Sequence, residues 1–151
     1  MNSGNKYIAI EGCAASYEEA IQLCGQSLCR AGYVGSSFVQ ECIAREKEYP
    51  TGLCTDIPVA IPHCKSKAIF KNAVCYLRLQ EPVAFRRMDD DEATVSTRSI
   101  FNIAIKSEGD HLVFLQKMMG VVTDTELLRR LEKIDIEKAP DLLRRSLETK
   151  E

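Results

Sequence analysis

The chain has 151 residues, 45% of them apolar and 28% charged, and 20 basic against 22 acidic side chains leave a net charge of −2. This globular composition predicts one domain over residues 1–151 and argues against disordered or fibrous classes. The acidic balance argues against nucleic acid as a partner; no run approaches the roughly 18 apolar residues of a membrane span, so no membrane insertion and a cytoplasmic location are expected.

In chain order, residues 7–11 (YIAIE) read as a short strand, preceded by no apolar stretch of the secretory-signal kind. A helix follows with a capping box, Ser16 at the cap and Glu19 three residues on. Its apolar stripe is Ile21, Cys24, Leu28 and Ala31, and Gly32 is its stop signal. A second helix starts at Ser36 or Ser37, turns Phe38, Val39, Cys42 and Ile43 inward, and ends before Pro50. The turn 49–52 leads to a strand at 58–61 (PVAI), which Pro62 closes by removing a ladder donor.

Residues 73–79 alternate and predict a strand; 83–85 predict a weaker one at an edge; 88–93 (MDDDEA) read as a solvated acidic loop. Residues 99–105 (SIFNIAI) predict a strand covered on both faces. Three helical patterns complete the chain. The first, 111–121, carries Leu112, Leu115 and Met119 inward. The second, 125–134, is capped by Thr123 or Asp124, and the last carries Leu142, Leu143 and Leu147 after Pro140. Helices at both ends around a group of strands predict an α/β/α sandwich of three layers with a mixed sheet.

The seven cysteines lack any C-x-x-C pair, so most are expected to be reduced, buried and without metal; no metal and no cofactor are expected. Imidazole chemistry has two positions, His63 and His111. Each follows the end of a strand, where ligands in open α/β sheets bind, and His111 stands at a helix start that favours anions. The two could converge on one site.

Arg45 lies about 20° from Phe38 on a helical wheel and so borders the apolar stripe. A guanidinium there wants an anion, which is either Glu46 or a phosphate; the spacing leaves both open. Cys64 beside His63 is a weaker thiol candidate.

Residues 43–53 (IAREKEYPTGL), followed by 59–64 (VAIPHC) and later by 109–120 (GDHLVFLQKMMG), resemble the IIA component of the bacterial sugar phosphotransferase system, fructose–mannitol superfamily. IPHC with AREKEYPTG looks most like the galactitol-type branch. The resemblance runs from about Tyr7 into the last helices. It implies a phosphocarrier in which His63 takes a phosphoryl group from the histidine-containing phosphocarrier protein. The group then passes to a cysteine of a IIB component, which phosphorylates a sugar or polyol entering through a IIC membrane transporter. It implies that Arg45 and His111 bind the phosphoryl group, with Thr51 a weaker phosphate-binding candidate and Glu46 an orienting residue. Docking of two partners around one exposed imidazole suggests an apolar collar to which Ile61 and Leu53 contribute. A regulatory module on the same fold, switched by phosphorylation of His63, is the alternative.

Overall fold

A computed structural model of the chain describes residues 4–148. Five strands, β1 (Lys6–Gly12), β2 (Gly52–Leu53), β3 (Val59–Ala60), β4 (Ala73–Arg86) and β5 (Thr94–Ala104), form one sheet in the order β1-β4-β5-β3-β2. The sheet is mixed: β1 runs parallel to β4 and β3 to β5, while β4/β5 and β2/β3 are antiparallel. Five helices accompany it, α1 (Tyr17–Arg30), α2 (Ser37–Glu48), α3 (Glu108–Val122), α4 (Thr125–Lys133) and α5 (Ala139–Glu148), with a 3₁₀ turn at Ile136–Lys138.

Alternation along the central strands builds two cores. Ala73, Cys75 and Leu77 of β4 pack with Ile21 and Leu28 of α1 and Phe38 of α2. Val74 and Tyr76 face the other way, against Met118, Leu128 and Leu143 of α3, α4 and α5. The expected three layers are thus present, and the apolar run of β5 is continuous because both of its faces are covered. Each fully buried Leu or Phe of these cores contributes about 1.5–3 kcal/mol relative to exposure.

The first helix follows its end signals, although Ala31, expected in its apolar stripe, is the exposed C-terminal cap. The Ser16 hydroxyl accepts from the Glu19 amide at 3.2 Å, and Gly32 takes the positive φ of +84° that ends the helix.

Five expectations are corrected. The two strands expected at 73–79 and 83–85 are one strand, β4, whose register with β5 shifts between Arg78 and Val83. Pro82 sits in that irregularity, where a missing N–H does no harm. β5 begins five residues earlier than expected, at Thr94. β2 has only two residues, too few for a sequence signal, and the strand expected at 58–61 is reduced to Val59–Ala60. Finally, α3 starts at Glu108 rather than His111, capped by the Ser107 hydroxyl, which accepts from the Asp110 amide at 3.1 Å. Its buried residues are Phe114, Met118, Val121 and Val122, while Leu112 and Met119 are exposed. Apolar side chains lie nearly all round this helix, so periodicity alone chose the wrong stripe.

Two features place the site. Gly52 brings β2 so close to β4 that a Cβ there would stand 2.6 Å from the Arg86 carbonyl oxygen. Beyond β3, the Pro62 carbonyl accepts from the Ile103 amide at 3.0 Å, which pins the next residue, His63, against β5.

Candidate functional site

A cleft of about 850 Å³ opens between the last turn of α2, the segment after β3, the β4–β5 loop and α3. Arg45, Thr51, Ile61 and His63 line it, together with Asp89 to Glu92. The acidic loop expected from the sequence is exposed, as expected, and forms part of this lining.

His63 is only 7% exposed. The expectation of an openly exposed imidazole is therefore corrected: the ring is packed into the structure and meets the cleft at its edge. Its Nδ1 stands 2.7 Å from the Ile61 carbonyl oxygen. A carbonyl can only accept, so Nδ1 carries the proton and the neutral ring keeps its lone pair on Nε2. Burial pushes the imidazole down to about 4; the Ile61 hydrogen bond opposes this, and the charges of His111 and Arg45 add to it. The ring is neutral at physiological pH.

The His111 ring lies 4.9 Å from that of His63, centroid to centroid, tilted by 53°. The two histidines do converge. The helix-start argument for His111 does not hold in the form expected, because its amide donates to the Ser107 carbonyl at 2.9 Å and is not free for an anion. His111 is half-buried; desolvation lowers its pKa, the charges of Arg45 and Lys65 lower it further, and Glu108 opposes them. Lys65 and Glu108 pair directly beside it.

Arg45 lies with its guanidinium 4.6 Å above the Tyr49 ring, an i,i+4 pair on the end of α2. Its Nε is buried and has no hydrogen-bond partner among the described residues. Of the two partners that spacing left open, Glu46 is engaged elsewhere. The Glu46 carboxylate accepts from the Thr51 amide at 2.7 Å and from the Thr51 hydroxyl at 2.8 Å. Neighbours on a helix point about 100° apart, so Arg45 and Glu46 serve different sides. Burial raises Glu46 to about 7; the Thr51 hydrogen bonds and the charges of Arg86 and Arg45 oppose the rise.

Thr51, expected to contact phosphate, gives its one hydroxyl hydrogen to Glu46. Its carbonyl receives the Ile61 amide at 3.4 Å, a long bond, so Glu46, Thr51, Ile61 and His63 form one chain of contacts. Cys64 is buried, with its sulfur 3.3 Å from that of Cys42, and is shielded from the cleft. The collar is built differently from expectation. Ile61 lines the cleft but is buried, and Leu53 packs against the α3–α5 core. The exposed apolar side chains of the rim are Tyr49, Met88 and Met119. Tyr49 was missed, although its i,i+4 spacing from Arg45 is readable; Met119 was assigned to the core.

A neutral imidazole with a free Nε2, beside a guanidinium with an unused N–H, suits reversible capture of an anionic electrophile.

The chain matches, over residues 4–143, the family described as "Phosphoenolpyruvate-dependent sugar phosphotransferase system, EIIA 2". It is 32% identical over 121 residues to the "PTS system mannitol-specific EIICBA component" of Escherichia coli (strain K12), covering 78% of this chain but only 18% of that relative's length. It is 27% identical over 114 residues to the "PTS system galactitol-specific EIIA component" of the same strain, covering 75% of each. The solved complex of enzyme IIAMTL and phosphorylated enzyme IIBMTL from Escherichia coli contains a similar fold, at TM-score 0.72 and 26% identity, covering 95% of this chain and 96% of that one.

Proposed function

Since the chain belongs to the EIIA 2 family of the phosphoenolpyruvate-dependent sugar phosphotransferase system, we propose that it is a phosphocarrier that holds the phosphoryl group on Nε2 of His63. The observation that carries this reading is the Ile61 carbonyl at 2.7 Å from Nδ1, which directs the lone pair to Nε2. In the first step the Nε2 lone pair attacks phosphorus. The P–N bond to the phosphohistidine of the donor carrier protein breaks, and its electron pair stays on the donor imidazole.

The phosphorylated His63 keeps its Nδ1 proton, which the Ile61 carbonyl continues to accept. Arg45 stabilises the equatorial oxygens of the moving group through its guanidinium, whose Nε–H has no partner among the described residues. His111 donates a hydrogen bond to the same group, and the Glu46–Thr51 contact holds the loop beside it. In the second step a cysteine thiolate of a IIB component attacks phosphorus, and the electron pair of the P–Nε2 bond returns to the ring. The IIB component hands the group to a sugar or polyol that enters through a IIC transporter.

The partners follow from this scheme: the histidine-containing phosphocarrier protein upstream, a IIB component downstream, and no lipid contact by this chain. Such a carrier works in the cytoplasm. The relatives' printed specificities, mannitol and galactitol, support a polyol as cargo, with galactitol favoured by the IPHC segment. The exposed Tyr49, Met88 and Met119 offer both partners an apolar rim suited to small, transient interfaces.

Incubation with labelled phosphoenolpyruvate and the general phosphotransfer proteins is expected to load one acid-labile phosphoryl group on His63. A His63→Gln variant that takes the label to the same extent contradicts the assignment.

A further inference from the structure

β5 alternates between the two cores, and Asn102 shares its face with Ile100 and Ala104, which pack toward α1 and α2. A branched apolar residue is what the pattern calls for at this position. Asn102 is instead fully buried, at 0% exposure, and its Oδ1 has no hydrogen-bond partner among the described residues. A buried acceptor left unsatisfied is destabilising, so the amide is a poor choice for stability alone.

Its NH₂ group shows what the cost supports. One N–H reaches the Pro62 carbonyl at 2.9 Å, and the other reaches Cys42 Sγ at 3.7 Å. The orientation is fixed, because the reverse would set two oxygens against each other. Pro62 precedes His63, and its carbonyl also receives the Ile103 amide, so both lone pairs of that oxygen are used. Cys42 lies on α2 one turn before Arg45, and its sulfur touches that of Cys64, the residue after His63.

We propose that Asn102 is a positioning residue for phosphotransfer: its amide ties the peptide before His63 to helix α2 and thereby fixes the spacing of the His63 imidazole and the Arg45 guanidinium. This rests on the reading of His63 as the phosphoryl carrier. Asn102 touches neither the reacting ring nor the cleft. It acts through the Pro62 carbonyl, which sets the exit direction of His63, and through the helix that holds the guanidinium. Displacing one group by about 1 Å in such a pair costs on the order of a hundredfold in rate.

The test uses the full chain with Asn102→Leu, close in shape and without the orphaned oxygen, and Asn102→Thr, which suits a strand but cannot span to Pro62 and Cys42 together. Both are expected to unfold cooperatively at or near the wild-type midpoint. Both are expected to lose tenfold or more in kcat for accepting the phosphoryl group, with KM for the donor protein unchanged. ¹⁵N NMR of the unphosphorylated protein is expected to show one His63 tautomer, protonated at Nδ1, in wild type and a mixture in the variants. Folded variants with wild-type kcat and an unmixed tautomer overturn the proposal; so do variants whose rate loss tracks a loss of folded protein. If the wild-type chain accepts no phosphoryl group, the carrier reading fails on its own, and the tautomer measurement still judges Asn102.

Discussion

The Ile61 carbonyl and the His63 Nδ1, 2.7 Å apart and only two residues apart in the chain, decide which ring nitrogen can react. Pro62 lies between them, and its fixed φ helps turn the ring back toward the Ile61 carbonyl. Both partners lie in one short segment, which the bonds from Asn102 and Ile103 to the Pro62 carbonyl hold in place. The contact keeps the proton on Nδ1 and the lone pair on Nε2, so that in the proposed transfer the nucleophile is prepared before any partner docks.

Two buried groups of the site titrate in opposite senses, and stability reflects both. The folded pKa of His63 is depressed from 6.5 to about 4, so the stability gained from the neutral ring is complete above about pH 6.5 and is lost as pH falls toward 4. The folded pKa of Glu46 is raised from 4.5 to about 7, so its contribution is complete below about pH 4.5 and is lost as pH rises toward 7. Each is worth about 3 kcal/mol across its window, and between about pH 4.5 and 6.5 the two cancel. Urea denaturation across this range is expected to show His63→Gln losing stability relative to wild type as pH rises through the His63 window. Glu46→Gln is expected to gain relative to wild type as pH rises through the Glu46 window. Variants that run parallel to wild type contradict the account.

Arg45→Lys retains the charge but not the planar fork or the buried Nε–H. Single-turnover transfer from the donor carrier protein is expected to slow by about 10²–10³, the size of a lost oxyanion donor. The NMR titration midpoint of His63 is expected to stay within about 0.5 of the wild-type value, since the nearby charge remains. An unchanged transfer rate removes Arg45 from the mechanism.

His111→Ala acts through two routes. It removes the hydrogen bond proposed to the phosphoryl group, for an expected loss of about tenfold to a hundredfold in the same assay. It also removes a charge that opposes protonation of His63 and admits water beside the ring, so the His63 midpoint is expected to rise above about 4. A fall in that midpoint contradicts the charge argument.

Much of this was legible in the sequence because local rules governed it. Ser16 and Gly32 bound the first helix, and the apolar run of β5 announced a strand covered on both faces. His63 and His111 stood out by scarcity, and their convergence followed from their places after strands. What could not be read depended on contacts between distant segments. β2 exists only because Gly52 lets it lie against Arg86, and Asn102 acquires meaning only when β5 lies beside Pro62 and α2. The Arg45–Glu46 question was open in the sequence because both are charged neighbours; the fold sends Glu46 to Thr51 and Arg45 to Tyr49 and the cleft. The stripe of α3 was misplaced for a related reason. With apolar residues nearly all round the helix, only the packing separates Met118, which fills the core, from Met119, which rims the cleft.

The most direct test is heteronuclear NMR of the phosphorylated protein with ¹⁵N-labelled histidine. The account predicts a single phosphorus–nitrogen coupling to Nε2 of His63, with the proton retained on Nδ1. A phosphoryl group on Nδ1, or on any residue other than His63, contradicts it.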